Sequence, residues 1–538
     1  MSRPRTPSSP RRLTAAATAA ITATITAATA ISVAGTIGVG TASAGPCSEM
    51  FGNFGSLLEQ QTGAGMATGS SGSSGSLGSL GSSGDSGSLG SVSPSLGPSD
   101  RSGSLVQQLE TGSLGNGLSG SLDPLIGSVY GMPPWITGEE GTVPVLRGPT
   151  RFLQLVTGPT SPNDTISRYG VAGTDLGVMW DNGDAVDPEI LMAFGDTMGD
   201  CSVPGDQWRS NVLFRSETPG DALAGGIRVA SAAQDQDGMA KSIIPRVGQP
   251  GEVTIIPTAG ISVNGVQYLR YMSVAHWGQP GSWTTNYSGM AYSTDNGENW
   301  TEVPEMARRI TSAGEPGAGA PPVDSAWNSA QMSSFLKVEE GPGVGFLYEY
   351  LTPSGRQGAA IVARVPLAGS PDSEDLEGAP LLEGVLDPSG YTYWDGSTWV
   401  DDIGDAEAVL PAPASEMSVM WNAHLGKYTA MYSQGFDSIV LRTADTPWGP
   451  WENATTLIDY SILPGVYGGF IHPWSQGGDL YYLVTTWNAY NVFLVRTDLD
   501  AVFPNQGVRR SQAATESQTE VVRQVPVSEL VNGVVPTE

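Results

Sequence analysis

Two cysteines, Cys47 and Cys201, and three histidines are all that 538 residues provide. Four clustered zinc ligands of the Cys/His type are therefore missing, and a Ser/His triad has little to draw on. No Gly-x-Ser-x-Gly elbow and no phosphate loop occurs. Positive charge is scarce as well: 25 Lys and Arg against 54 Asp and Glu leave a net charge of −29. Nucleic acid requires a basic surface and anionic lipid favours one, so neither is an expected partner. A neutral or cationic partner fits better. Past residue 44 no run is apolar enough to span a bilayer.

The start of the chain is ordered in a recognisable way. Arg3, Arg5, Arg11 and Arg12 precede an uncharged Ala/Thr/Ile stretch over residues 13–39, which reaches Ala42-Ser43-Ala44. That is the sequence of n-region, h-region and cleavage site of an export signal over residues 1–44. The adjacent Arg11-Arg12 before a Thr-diluted core favours the twin-arginine route over Sec, with an uncleaved anchor as the alternative. The expectation is a secreted or envelope-associated protein with no stable membrane insertion once the signal is removed. Export permits a Cys47–Cys201 disulfide, and Pro46 before Cys47 is not a usual lipoprotein junction. After a short segment, 45–61, residues 62–145 are mostly Gly and Ser and are expected to form a flexible tether. Residues 506–538 are polar, and are expected to trail as a disordered tail.

Between about 122 and 511 lie all fourteen tryptophans. Residues 146–505 alternate β-branched and aromatic runs with Gly, Pro, Asn and Asp, and carry little helical periodicity. Five pairs of such runs stand out, with second members around 210–216, 289–293, 359–365, 438–443 and 490–497. Their spacing predicts an all-β, five-bladed propeller. The stretch from Ser293 to Trp300 matches the Ser-x-Asp-x-Gly-x-x-Trp "Asp box", a structural turn lying away from the catalytic face of such folds. A plain hairpin on Asn296-Gly297 is the simpler reading of that stretch.

Asp175, in Thr174-Asp175-Leu176-Gly177, and Asp196, in Phe194-Gly195-Asp196-Thr197, each sit where an apolar run meets a glycine. Such positions put carboxylates at strand ends facing a cleft, and two of them are what glycoside hydrolysis requires. Capping of turns is the plainer role for both. Asp181, Asp184 and Asp187 share Asn182-Gly183 and Pro188 and are expected to be turn residues. Glu252 and Glu416 each precede an apolar strand, and either would supply a third carboxylate, although an exposed strand start serves as well. Sugar sites also need flat apolar faces and planar hydrogen-bonding groups. The candidates are Trp208, Arg209 and Asn211; Trp277, Trp283 and Asn286; Trp421 and Asn422; His472 and Trp474; and Trp487, Tyr490 and Asn491. Propeller cores are rich in tryptophan too, so the recurrence of Trp beside Asn or Arg is the informative part. His472 is a candidate axial ligand to a structural cation in a propeller channel, or a hydrogen-bonded core residue. No cofactor is otherwise required.

At these residues the sequence resembles a family of secreted actinobacterial proteins, long labelled a domain of unknown function, whose characterised members are endo-D-arabinanases. The resemblance covers roughly residues 168–499. It rests on Asp175-Leu176-Gly177, Phe194 to Thr197, Trp208 to Asn211, Ile256 to Gly260, Tyr292 to Trp300, Pro447 to Trp451, His472-Pro473-Trp474 and Tyr490-Asn491-Val492. It implies a five-bladed propeller that cuts α-linked D-arabinofuranose chains of arabinogalactan and lipoarabinomannan by an inverting mechanism with two aspartates, here Asp175 and Asp196. A monomer acting on arabinan is the expectation. A non-catalytic propeller that binds envelope glycan is the rival, and a sialidase-like exo-enzyme is weaker, since one Asp box is visible and no set of three arginines surrounds the cleft motifs.

Overall fold

A computed structural model describes residues 141–199, 207–246, 251–314, 316–339, 341–367, 382–435, 438–504 and 519–537. The expected signal, the segment 45–61, almost all of the tether and both cysteines lie outside the described residues. The rest is a five-bladed β-propeller. From the centre outward, blade 1 consists of Leu176–Asp181, Ile190–Phe194, Val212–Ser216 and Val229–Ala232. Blade 2 begins with Thr254–Val263, Val266–Trp277 and Trp283–Ser293. Blade 3 begins with Met332–Lys337, Phe346–Thr352 and Ile361–Pro366. Blade 4 comprises Met417–Asn422, Lys427–Gln434, Ser438–Ala444 and Thr455–Asp459. Blade 5 has Val466–Ile471, Asp479–Thr486 and Asn491–Asp498, and takes its outermost strand, Thr150–Leu155, from the other end of the domain.

The first strand of each blade packs against the first strand of the next, and the ring closes where Val466–Ile471 meets Leu176–Asp181. These inner strands run in one sense, so their N-terminal ends gather on one face of the ring. The turns between second and third strands emerge on the same face. Because neighbouring blades cover both sides of each sheet, the strands lose the alternation of a half-exposed sheet: Ile190–Phe194 and Val212–Ser216 are buried at every position. Charge is buried between blades as well. Glu349 of blade 3 accepts from Arg270 (3.0 Å) and Arg308 (2.8 and 2.7 Å) of blade 2. Burial alone would raise its carboxyl, but the two guanidiniums outweigh that and pull it to about 2.

The Asp box behaves as a structural turn. Asp295 Oδ1 accepts from Asn299 N (2.9 Å), Trp300 Nε1 donates to Gly297 O (3.0 Å), and the Trp300 ring lies edge-on to Trp180 of blade 1. It caps the end of the third strand of blade 2, opposite the face that collects the inner-strand starts.

One expectation is corrected at the C-terminal end. Residues 519–537 do not trail: Glu520–Pro526 pairs antiparallel with Thr142–Arg147. The reason is apolar, since Val525, Val527, Leu530 and Val535 are buried in the cluster that holds Phe152 and Leu155. Thr142–Arg147 accordingly belongs to the folded unit, although it begins a little before the expected boundary at 146. Among the described residues no helix is long and apolar enough to cross a membrane.

Candidate active site

Asp175 directly precedes the inner strand of blade 1, and Asp196 follows the second strand, at the same end of the pair, where Leu176 opposes Phe194. Local backbone aims them. Leu176 and Gly177 both adopt positive φ, 68° and 87°, at a register shift. Leu176 held left-handed costs on the order of 1–3 kcal/mol, and such strain persists where the surroundings over-determine it. Here Leu176 N donates to Thr485 Oγ1 at 2.8 Å. Gly195 is needed for another reason: a methyl group there would overlap Asp175 Oδ1.

The remaining blades add to the mouth in the same way. Thr254, first in the inner strand of blade 2, donates its hydroxyl to Asp196 Oδ1 at 2.6 Å. Glu416 directly precedes the inner strand of blade 4 and pairs with Arg356 from the blade 3 turn. Tyr467, in the inner strand of blade 5, donates to Asp175 Oδ2 at 3.0 Å. Tyr490, from the blade 5 turn and also at positive φ (43°), is buried beside both aspartates. Asp175 keeps partial exposure at the mouth, whereas its Oδ1 atom is shut from water and has no hydrogen-bond partner. Burial, reinforced by the neighbouring Asp196, pushes the Asp175 carboxyl up to about 8 against the Tyr467 hydroxyl and Arg356. Burial likewise raises Asp196 to about 7, opposed by Thr254, Arg246 and Trp208. Two coupled carboxyls that share roughly one proton near neutrality can donate from one and accept at the other.

The sequence candidates divide three ways. Asp175, Asp196, Glu416, Trp208, Trp277, Trp283, Trp487 and Tyr490 come to the mouth face. Glu252 is also at this end, buried, and accepts from Ser273 Oγ at 2.9 Å. Trp277 and Trp283 pair edge-to-face at 5.6 Å across the blade 2 hairpin. A second group is structural. Arg209 is buried and spends its two terminal nitrogens on the carbonyls of Tyr169, Gly170 and Ala240; burial lowers it to about 10. Asn211 bridges Ile243, Ile244 and Ile255, Asn286 ties Gly251 to Ser273, and Asn491 joins Thr157 to Ala172. The amides were placed among sugar ligands, but buried backbone groups claim them first.

The third group sits at the opposite end of the inner strands. Trp421 is exposed against Tyr428, and Asn422 caps the turn at Leu425. Trp474 donates to Asp181, which ends the inner strand of blade 1 rather than lying in the turn, and whose Oδ1 accepts from Gly183 N of the turn that follows. His472 is fully buried; burial lowers it to about 3, and its Nδ1 accepts from Trp474 N at 3.2 Å. Among the described residues no three His, Cys, Asp or Glu side chains gather as a cation site would need. Sequence reasoning missed Arg356, Tyr467, Thr254 and Arg246. The usable signal was positional: residues at the start of each inner strand converge.

Fold and site together define a propeller with two neighbouring aspartates at the mouth of its ring, Asp196 buried and Asp175 partly exposed. The chain belongs to the family described as Domain of unknown function (DUF4185), which matches residues 160–496. It is 31% identical over 345 residues to Notoamide biosynthesis cluster protein J of Aspergillus sp. (strain MF297-2), covering 60% of this chain and 81% of that protein. Similar solved structures include an exo-β-1,3-galactanase of Phanerochaete chrysosporium with β-1,3-galactotriose (11% identity, TM-score 0.36, 70% of this chain and 71% of that one). Another is a GH43_1 enzyme from Xanthomonas citri (12% identity, TM-score 0.34, 68% and 98%).

Proposed function

We propose that the chain is an exported glycoside hydrolase that cuts within a polysaccharide, with Asp175 as general acid and Asp196 as general base. The observation that carries this reading is the coupled pair itself: two carboxyls at one strand end, both raised toward neutrality, one with a buried unpartnered oxygen. Asp175 has the higher affinity for a proton and would pass it to the departing glycosidic oxygen. Asp196, beside Arg246 and the Thr254 hydroxyl, is better stabilised as an anion and would take a proton from the attacking water. The C–O bond to the leaving sugar breaks as water bonds to the anomeric carbon, and the net proton transfer runs from Asp175 to Asp196. No cofactor enters this scheme.

The resemblance noted in the sequence points to α-D-arabinofuranose chains of envelope arabinogalactan and lipoarabinomannan as substrate. The tryptophans at the mouth supply flat faces for furanose C–H surfaces. Incubating the full chain with purified arabinogalactan tests the reading: released oligosaccharides support hydrolysis, while retention without cleavage favours a glycan-binding propeller. Secretion is tested with Arg11→Lys/Arg12→Lys, which retains the protein in the cytoplasm if the twin-arginine route carries it.

A further inference from the structure

Arg356 of blade 3 reaches blades 2, 4 and 5 at the mouth and faces Asp175 of blade 1. It sits in the turn between the second and third strands of blade 3, and its own N–H donates to Gly281 O of blade 2 at 2.7 Å. Its Nε donates to both oxygens of Glu416 of blade 4, at 2.8 and 3.0 Å, and Nη2 adds a bond of 2.5 Å. Ser415 Oγ completes the Glu416 carboxylate at 2.5 Å. The guanidinium carbon lies 4.6 Å from the Tyr467 ring of blade 5 and 5.6 Å from that of Trp283. Tyr467 in turn bonds Asp175 of blade 1.

A lone cation in this place would hold Asp175 ionised and spoil it as an acid. A lone carboxylate would make proton release harder. Joined by a bidentate fork through Nε and Nη2, the two charges oppose each other at Asp175, Arg356 favouring the ionised form and Glu416 the protonated one.

Resting on the reading of Asp175 as the acid, we propose that Arg356 and Glu416 form one charge-balanced positioning unit that holds Tyr467 against Asp175 and sets the field in which Asp175 carries its proton. The groups facing Asp175 are Asp196 of its own blade, Arg356, Glu416, and Tyr467 and Tyr490 of blade 5. The unit makes a signed prediction that a merely structural ion pair does not. Removing the cation should make Asp175 harder to deprotonate, removing the anion should make it easier, and removing both should restore it.

The test titrates Asp175 in the full chain by carbon NMR of aspartate-labelled protein, its resonance identified by loss in Asp175→Asn, with no substrate present. Arg356→Gln should raise the Asp175 midpoint by about one pH unit and Glu416→Gln should lower it by about the same. The double variant Arg356→Gln/Glu416→Gln should return within about half a unit of wild type. Shifts of the same sign, no shift, or a double variant that stays displaced overturn the proposal. If one single variant fails to fold, the other still carries the signed shift, and a double variant, which leaves no buried charge unpaired, overturns the proposal if it stays displaced by more than about half a unit. The basic limb of turnover on arabinogalactan should follow the same three shifts. A wild type inert on glycans with the NMR shifts intact sinks the hydrolase reading and leaves the positioning unit standing.

Discussion

The hydroxyl of Tyr467 in blade 5 donates to Asp175 Oδ2 of blade 1 at 3.0 Å, joining residues 292 apart in sequence across the seam where the ring closes. This bond favours the ionised form of Asp175 and competes with burial. Tyr467→Phe should therefore move the basic limb of the pH–rate profile upward and lower turnover by roughly tenfold, through loss of orientation. An unmoved limb would show that the hydroxyl does not act on Asp175.

Asp175→Asn and Asp196→Asn change volume little. Each should leave the melting transition of the domain in place near pH 4, where the wild-type carboxyls are protonated, and lower turnover on arabinogalactan by a factor on the order of 10² or more. Asp181→Asn, at the other end of the inner strand, should stay near wild type. Full activity in either mouth variant rules out the assigned pair.

Stability should carry the opposite mark. Both folded carboxyls, at about 8 and about 7, lie above the unfolded value near 4, so the native state holds protons the unfolded chain has released between about pH 4 and 8. These groups therefore favour folding at low pH, and that contribution fades as pH rises through the folded values. Asp175→Asn should melt above the wild type at pH 9, by on the order of 5 °C, with the gap closing toward pH 4. Calorimetry at the two pH values checks the sign.

Gly195→Ala tests the fit between Asp175 and the opposing backbone. The added methyl overlaps Oδ1, so the carboxyl must rotate out of place. Turnover should fall at least about tenfold with KM little changed, because orientation rather than substrate binding is lost. Equal loss in KM would mean that the glycine serves binding.

The stereochemical outcome reports on the pair as well. If water enters opposite the leaving sugar, the carboxyls stand about 6.5–9.5 Å apart and the first product has the inverted anomeric configuration. Proton NMR during the first minutes of digestion of an α-linked arabinan should show β-product. Initial α-product would require a nucleophile instead.

Much of this was legible in the chain. All five strand pairs read from the sequence are the second and third strands of the blades, where long apolar runs such as Tyr268 to Val274 are broken by turns. The inner strands were not read as a repeat, because at the narrow ring they are short and mixed, as in Val-Tyr-Gly-Gly-Phe-Ile over Val466–Ile471. Asp175 and Asp196 stood out in the chain because each lies within two residues of a glycine, Gly177 and Gly195, that local geometry demands. Arg356 gave no local sign: its importance arises only where Pro353-Ser354-Gly355 brings it over blades 4 and 5. Asn211 and Asn286 misled because an amide that satisfies buried carbonyls looks, in sequence, like one that awaits a sugar. The tail was misjudged since its few valines lack a partner until Phe152 and Leu155 are nearby.

The shared makeup of blade 5 also bears on how the molecule is born. Thr150, in the outermost strand, meets Thr497, a residue synthesised 347 positions later. Until that late segment emerges from the ribosome, the edge of blade 5 stays open and the early strand has nothing to pair with. Contacts so distant in sequence slow folding, and a waiting edge invites pairing with other chains. A transcript cut short before the codons for Asn491–Asp498 would thus yield no slightly weakened domain but a sticky, unsealed intermediate, which makes nearly complete synthesis a condition for a closed ring.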